Sequence, residues 1–474
     1  MAKITLTAVD GILYEVQEKK NALGKMVPFK LGAGGQGAAY VVKRQGASNT
    51  CAAKLYHDIT PPEFNENLQK IVEMTSPHEA FIWPQKLLQP RKNGAIGFIM
   101  ELYDNKVYRK FEDVAIWGKH QFRSRYAQLK ALLELVSAFE ALHATGHCFQ
   151  DINQGAIVFD VERGRTKICD CENVAPEGKR IPIGYDNNGG KIYMQGFPRY
   201  KAPEVEIRAM LPDKYTDRYS LAVMIFMVLT CCHPLEGKKR FTYNPEGMVT
   251  PSVERDIYGA NPIFIFDEKD SSNRPDPKED GDALRAWPGI PSFIKELFVK
   301  AFCQGLPVKG KYDDTKKAER YNRPTEKQWR EALVRWMDTL VRCSNDKCHL
   351  SFVADIDPRT FSMRTVCPFC GKDNQYDYPR MKIYKGSSHK RTIVLVPERE
   401  IPMSAISNND SYDTAILVLK AKRPGIHGIK NTTNGKWICS CGQSTETLNP
   451  DDFVKLQPIM KIQFNFDYHG DIIM

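Results

Sequence analysis

The run Leu31-Gly32-Ala33-Gly34-Gly35-Gln36-Gly37-Ala38-Ala39-Tyr40 lies between two β-patterned segments and carries the spacing G-x-G-x-x-G at Gly32, Gly34 and Gly37. Glycine there lets the backbone turn without a Cβ clash and lets main-chain N–H groups approach a phosphate closely. The sequence continues as a strand, not a helix, which disfavours a dinucleotide-binding fold. Alone, the pattern fits any glycine-rich hairpin, so its meaning depends on the residues downstream. Cys51-Ala52-Ala53-Lys54 comes next, at the spacing of the following strand. A lysine pointing under the hairpin would meet the α- and β-phosphates of a nucleotide; a lysine on an edge strand would simply be solvated.

The chain has 474 residues, enough for two or three domains with cores of their own. Its 26 % charged and 42 % hydrophobic residues are those of an ordered globular protein. A net charge of +10 fits phosphate-bearing or acidic partners, but equally a solvated lysine-rich surface, and does not demand nucleic acid. The longest apolar run, Leu221 to Cys232, is too short to span a bilayer. Met1-Ala2-Lys3-Ile4-Thr5 lacks the apolar core of a secretory signal, and thirteen cysteines, an odd number, suit reduced thiols in the cytoplasm. The expectation is a cytoplasmic protein with no membrane partner and some metal-binding thiols.

Residues 1–105 alternate apolar and polar with glycine turns and are predicted to be strand-rich, with one helix near 62–75. Residues 106–341 are predicted to be mainly helical, with irregular stretches at 172–200 and 236–285. The second of these, rich in Pro, Gly, Asp and Lys, reads as an exposed insertion. A helix over 325–341, opening at Pro324-Thr325, closes this part. A small cysteine-rich module at 342–379 follows. Residues 380–474 read as a small all-β domain: Arg391 to Pro397, Thr414 to Lys420 and Ile459 to Phe466 are β-patterned, and Asn434-Gly435 signals a hairpin.

Further elements line up behind Lys54. Gly97-Phe98-Ile99-Met100-Glu101-Leu102-Tyr103 is an apolar strand entering a polar linker. Leu142-His143-Ala144-Thr145-Gly146-His147 ends a helix and leads to Phe149-Gln150-Asp151-Ile152-Asn153. Asp170 closes the strand Thr166-Lys167-Ile168-Cys169 and begins Asp170-Cys171-Glu172. Then come Gly196-Phe197-Pro198-Arg199-Tyr200-Lys201-Ala202-Pro203-Glu204, Asp217-Arg218-Tyr219-Ser220-Leu221 and Arg323-Pro324. In this order the elements resemble a eukaryotic-type Ser/Thr protein kinase over roughly residues 25–340. More narrowly, Asp151-Ile152-Asn153-Gln154-Gly155 with Asp170-Cys171-Glu172 resembles bacterial kinases encoded beside phosphatases and von Willebrand-type proteins in stress or tellurite-resistance clusters.

The resemblance implies a bilobal fold, ATP with Mg²⁺ (or Mn²⁺), and a role for each matched residue. Gly32, Gly34, Gly35 and Gly37 would cover the phosphates and Lys54 would hold them. Met100 would be the gatekeeper, with backbone groups of Glu101 and Tyr103 at the adenine edge. Asp151 would orient the attacking hydroxyl and accept its proton, and Asp170 would bind magnesium. Glu204 and Arg323 would form a buried ion pair, and Asp217 would brace the catalytic loop. For the helix partner of Lys54 the sequence leaves Glu66 and Glu73 open, while the apolar phase Leu68, Ile71, Met74 puts Asn67 near the expected position.

Four positions depart from the family pattern. Gln150 replaces the arginine that would receive a phosphorylated activation loop, so no dependence on phosphorylation within 172–200 is expected. Asn153 replaces a lysine facing the γ-phosphate. Ala156 replaces the second magnesium ligand, and a methyl group cannot coordinate a hard cation. Glu172 replaces a glycine; it could supply the missing oxygen to a second metal, with Asn153 doing so from the other side, or be a solvated residue of a dead site.

Cys343-x4-Cys348 and Cys367-x2-Cys370, about twenty residues apart, have zinc-site spacing and resemble zinc-ribbon knuckles. His349 reads as a neighbour, not a ligand. Cys439 and Cys441 read as small buried residues, Cys231 and Cys232 as core. The tail resembles a degraded forkhead-associated β-sandwich at Gly428-Ile429-Lys430-Asn431-Thr432 and Lys461-Ile462-Gln463-Phe464. The elements that would read phosphothreonine are not recognisable, which favours a structural or partner-docking domain. The expected fold is therefore multidomain α+β: kinase lobes at 1–105 and 106–341, a zinc ribbon, then a β-sandwich. The expected function is ATP-dependent Ser/Thr phosphorylation of a protein substrate, or of the chain itself, in bacterial signalling or stress response. The alternatives are an ATP-binding pseudokinase that scaffolds a partner protein, and a protein nucleotidyltransferase. Lys309, Lys311, Lys316 and Lys317 leave a nucleic-acid role conceivable, but no aromatic stacking pattern accompanies them.

Overall fold

The structure is a computed structural model and describes residues 4–194, 196–243, 246, 248, 250–306, 308–309, 311–312, 314–355, 363–407, 414–419 and 427–474; for 308–309, 311–312, 314–317 and Arg364 it describes the backbone only. The side chains of Lys309, Lys311, Lys316 and Lys317, and all of Lys420, lie outside the described residues. Two compact units are present, Met1–Ala283 with Glu296–Lys327, and Leu284–Lys295 with Gln328–Met474. No described helix is long and apolar enough to cross a membrane.

The first unit begins with a seven-stranded antiparallel sheet. Its order is Thr5–Thr7, Leu13–Val16, Gly37–Arg44, Thr50–Tyr56, Gly97–Met100, Pro84–Leu88, with Lys30–Ala33 as a further partner of Gly37–Arg44. Alternation puts Val42, Ala53 and Ile99 with Leu6 and Val16 on one face. Tyr56 and Phe98 pack on the other with Phe64 and Leu68. The last two come from the helix Pro62–Glu73, whose buried residues Phe64, Asn67, Leu68 and Ile71 follow helical spacing. Pro62, at its first turn, has no N–H to leave unsatisfied.

Two helices dominate the rest of this unit. Arg125–Ala144 starts at Ser124, whose Oγ accepts the Ala127 N–H at 3.1 Å. Lys214–Thr230 starts at Asp213 in a reciprocal capping box with Thr216. Both are buried around most of their circumference, which makes them the core of this half. The short strand His147–Phe149 pairs with Val174–Pro176, and this pairing brings the loops carrying Asp151 and Asp170 side by side. Glu204 and Arg323, both fully buried, form a bidentate pair at 2.8 and 2.9 Å.

Two stretches read as irregular are more ordered than their composition suggests. Within 172–200, Pro182–Tyr185 pairs with Lys191–Tyr193. The stretch 236–285 is not exposed throughout: Val253, Ile257 and Tyr258 cluster with Leu235, and Phe264 and Ile265 are fully buried. Phe264 meets Phe226 and Phe302 with ring centroids 5.6 and 5.3 Å apart. Buried Asn273 satisfies its backbone surroundings, accepting from Gly237 and Lys239 and donating to Leu235 and Ile263. A few anchors spaced among polar residues carry the packing, so average composition conceals them.

The second unit holds the cysteine module and two antiparallel sheets. The six-stranded sheet runs Ser388–Val394, Arg380–Lys385, Tyr468–Ile473, Lys461–Gln463, Trp437–Cys441, Ser444–Leu448. The four-stranded sheet runs Glu400–Pro402, Thr414–Leu419, Gly428–Asn431, Phe453–Lys455. Met381, Ile462 and Trp437 of one sheet share a single core with Ile401, Ile416 and Ile429 of the other. The hairpin expected at Asn434-Gly435 is not formed: the strands flanking it belong to different sheets. Buried Asn431 holds this crossing by donating to Gly435 O at 2.8 Å. Cys439 is buried, whereas Cys441, Cys231 and Cys232 are only partly so.

Candidate active site

Lys54 stands in mid-strand, in register with Ala39 on one side and Phe98 on the other. Its Nζ donates to Asp170 Oδ1 at 2.9 Å and to Glu172 Oε1. Burial would lower the lysine's pKa, but the Glu172 and Asp170 carboxylates outweigh it and hold Lys54 well above its ordinary value. For Glu172, itself buried, desolvation outweighs Lys54 and raises the carboxyl. Lys54 is thus the fixed cation of the group.

The local backbone explains how Glu172 reaches the lysine. Asp170 is left-handed (φ 58°), and a tight turn over Cys171–Asn173 follows it. That turn folds Glu172 inward, where its side chain is 2 % exposed, while the Asp170 side chain keeps 39 %. Glu172 is therefore neither solvated nor turned outward. Of the candidates on the helix, Glu66 and Glu73 are exposed, and Glu73 accepts from Gln69 at 2.9 Å. Asn67 takes the inward position and donates to Val174 O at 2.8 Å.

Asp151 follows the paired strand His147–Phe149. Its Oδ1 is buried and has no hydrogen-bond partner among the described residues. Burial raises its pKa, and the Asp170 charge adds to this against Asn153, Lys201 and Lys54. Asn153 does not extend toward a metal: its Nδ2 donates to Asp151 O at 3.0 Å and its Oδ1 accepts from Gly155 N at 2.7 Å. Its amide is spent on holding the loop. Gln150 donates to Lys179 O, and Ala156 is buried. Asp217 accepts the Phe149 N–H at 2.6 Å and meets His143 Nε2 at 3.0 Å, bracing the loop from behind.

Along the glycine hairpin, a Cβ on Gly32, Gly34 or Gly35 would meet nothing within 4 Å. On Gly37 it would fall 2.5 Å from Leu55 O. The first three leave open space over the site, and Gly37 is required by close approach of the lysine strand. Met100 ends Gly97–Met100 and packs against the Tyr56–Phe98 cluster. Glu101 and Tyr103 follow in the linker; the Glu101 side chain accepts from Lys167 at 2.9 Å, and Tyr103 is pushed by burial to about 12. Tyr56 belongs to none of the motifs in the sequence. It lies two residues beyond Lys54 on the same strand face, with its hydroxyl buried and unpartnered among the described residues beside the acids; strand periodicity is the signal that could have found it.

This set fits a nucleotide with a divalent cation. A fixed lysine, a half-exposed carboxylate at Asp170, an open glycine hairpin and a buried carboxylate at Asp151 with one oxygen unpartnered among the described residues are what polyphosphate binding and proton acceptance require.

A second cluster lies in the other unit. The thiols of Cys343, Cys348, Cys367 and Cys370 all lie within 4.8 Å of one another. Cys343 Sγ is 3.7 Å from Cys370 Sγ, and Cys348 Sγ is 3.8 Å from Cys367 Sγ. Sulfurs on a tetrahedron with Zn–S of about 2.3 Å would be about 3.8 Å apart. The Asn345 N–H points at Cys343 Sγ at 3.4 Å. His349 is not in the cluster; its carbonyl accepts from Arg342. Cys343 and Cys367 are buried, and Phe352 and Val394 pack with them.

A family model for the protein kinase domain matches residues 27–271. No curated protein gives a significant match. The match spans just over half the chain and takes in the glycine hairpin, Lys54, Asp151, Asp170 and Glu172; with the geometry of those residues, it makes the chain a member of the protein kinase domain family.

Proposed function

We propose that the chain is an ATP- and Mg²⁺-dependent protein serine/threonine kinase. The observation that carries this is the convergence of Lys54, Asp170 and Glu172 beside an Asp151 Oδ1 unpartnered among the described residues. In this reading the hairpin glycines and Lys54 hold the triphosphate, and Asp170 holds the metal. Magnesium, when bound, neutralises phosphate charge. Asp151 orients the substrate hydroxyl and accepts its proton as that oxygen bonds to the γ-phosphorus; the bond to the β-γ bridging oxygen breaks and ADP leaves. Glu172 takes the part that a helix glutamate plays in the family template, fixing Lys54. It is therefore not assigned to a second metal, and with Asn153 and Ala156 unsuited as ligands the site works with the oxygens of Asp170.

The four thiols suit a structural zinc site of ribbon type, and the two-sheet core of the tail suits a forkhead-associated-like sandwich used for docking. A cytoplasmic role in bacterial signalling or stress response is the setting this combination suggests. To test the reading, the purified chain is incubated with ATP, Mg²⁺ or Mn²⁺ and a protein mixture, and intact masses are read beside Asp151→Asn and Asp170→Ala. Phosphoryl addition by the unmutated chain alone is the expected result. Addition of AMP would establish nucleotidyl transfer instead, and ATP binding without transfer would leave a scaffold.

A further inference from the structure

A cavity of about 110 Å³ opens beside the catalytic loop, walled by Gln150, Arg180, Lys201, Glu206, Arg208 and Arg255. A single water needs about 10–15 Å³ of such space, so a tetrahedral anion has room. A smaller adjoining cavity shares Gln150 and Lys201 and reaches Asp151. Lys201 and Asp151 also flank one point: a Cβ on Gly196 would lie 3.2 Å from Lys201 Cδ and 3.4 Å from Asp151 Oδ1. The basic cavity thus lies next to the group that receives the acceptor hydroxyl.

Its charge is unbalanced. Lys201 pairs with Glu206 at 2.5 Å, the one acid in the wall. Arg180 holds Met194 O at 2.8 Å and lies over the Tyr193 ring. Arg208 and Arg255 make no side-chain hydrogen bond or ion pair with a described residue. Arg208 and Arg255 are exposed residues of this wall, and planar guanidinium forks match phosphate oxygens. Three such groups suit a dianionic phosphomonoester better than a single carboxylate.

A phosphoserine or phosphothreonine for this cavity has to come from outside the neighbouring segment. Glu172 to Tyr200 contains no serine or threonine, only Tyr185, Tyr193 and Tyr200. The Tyr193 ring is under Arg180, and buried Tyr200 donates its hydroxyl to Gln154 at 2.8 Å. We infer that this cavity binds a phosphoserine or phosphothreonine of the substrate, so that the protein acts on chains already phosphorylated near the acceptor residue. The inference rests on the proposed kinase activity for the acceptor, and on the cavity alone for the phosphate.

The test measures binding without turnover. Fluorescein-labelled degenerate peptide libraries with a fixed phosphoserine, a fixed serine or a fixed phosphotyrosine are titrated with the full chain, with R255Q and with R208Q, while ATP binding is followed separately. The phosphoserine library should bind about tenfold tighter than the serine library. Each substitution should remove most of that preference and leave ATP affinity unchanged. Equal binding of serine and phosphoserine libraries would overturn the inference, as would a preference that survives both substitutions. Preference for phosphotyrosine would point to the chain's own tyrosines and overturn the substrate source. Because no transfer is read, a phosphoserine preference in a chain that fails to phosphorylate anything would refute the kinase reading and leave the site standing.

Discussion

Lys54 is paired with Glu172, a residue two positions beyond Asp170 in the same turn, and not with a glutamate on the helix that packs over its strand. The consequence is a change in what controls the lysine. A helix can swing and break such a pair; here both acids that hold Lys54 arise from one short turn fixed by the left-handed Asp170. Asn67, in the inward helix position, ties the helix to Val174 O instead. Helix position and lysine position are therefore linked through this tether and through Phe64 and Leu68 packing on the Lys54 strand, not through a helix carboxylate.

Replacing Glu172 tests this directly. Glu172→Gln keeps the shape of the side chain but removes the charge that fixes Lys54, and should lower kcat/KM about 10²-fold while ATP affinity changes less. Asn67→Ala should leave kcat within about threefold, because it removes a backbone tether and not the lysine's partner. Steady-state kinetics on the two variants check both; a larger loss for Asn67→Ala would return control to the helix.

The hairpin glycines should separate into two classes. Gly37→Ala puts a Cβ against Leu55 O and should destabilise the strand pairing by about 1–3 kcal/mol, seen as a lower Tm. Gly34→Ala meets nothing in the protein, so its Tm should stay unchanged while ATP binds more weakly. Thermal melts with and without ATP distinguish them.

What the sequence revealed was what depends on order and residue type. The strand-rich beginning, the buried Glu204–Arg323 pair and the bracing by Asp217 follow from motifs whose partners are dictated by the fold. The site details that escaped it depend on a single backbone angle or on distant segments. Glu172 faces inward because of the positive φ at Asp170, which no pattern of residues announces. Arg180, Arg208 and Arg255 are far apart in the chain and meet only at the cavity. Asn434-Gly435 has the composition of a two-residue hairpin turn, yet burial of Asn431 turns it into a crossing between sheets.

The thiol cluster should carry one zinc ion per chain by elemental analysis. Cys343→Ser removes a buried ligand and should abolish retention of the metal. Chelation should lower the Tm of the unit that contains the cluster, since the binding free energy of a structural zinc is folding free energy. ATP affinity, which belongs to the other unit, should not change.

The network behind the catalytic loop should make stability depend on pH. His143 Nδ1 meets Glu326 Oε1 at 2.9 Å and its Nε2 meets Asp217, while Arg218 clamps Glu326 at 2.7 and 2.9 Å. Burial opposes charge on His143, but the hydrogen bonds to Asp217 and Glu326 win and raise its pKa from 6.5 to about 9. Glu326 is buried too, yet His143 and Arg218 lower it to about 2. A raised histidine stabilises the folded state fully below its unfolded value and loses that contribution as pH climbs toward 9. A lowered carboxyl contributes fully above its unfolded value and loses it as pH falls toward 2. The His143 and Glu326 contributions together should therefore be greatest between about pH 4.5 and 6.5 and decline on either side, while burial raises the Asp217 carboxyl and offsets part of the acid-side loss. The histidine term alone is worth about 3 kcal/mol by the linkage between pKa and stability. Denaturant midpoints measured from pH 5 to pH 9 should fall in the intact chain, and this slope should flatten in His143→Gln. An unchanged slope in that variant would mean that His143 is neutral in the folded protein.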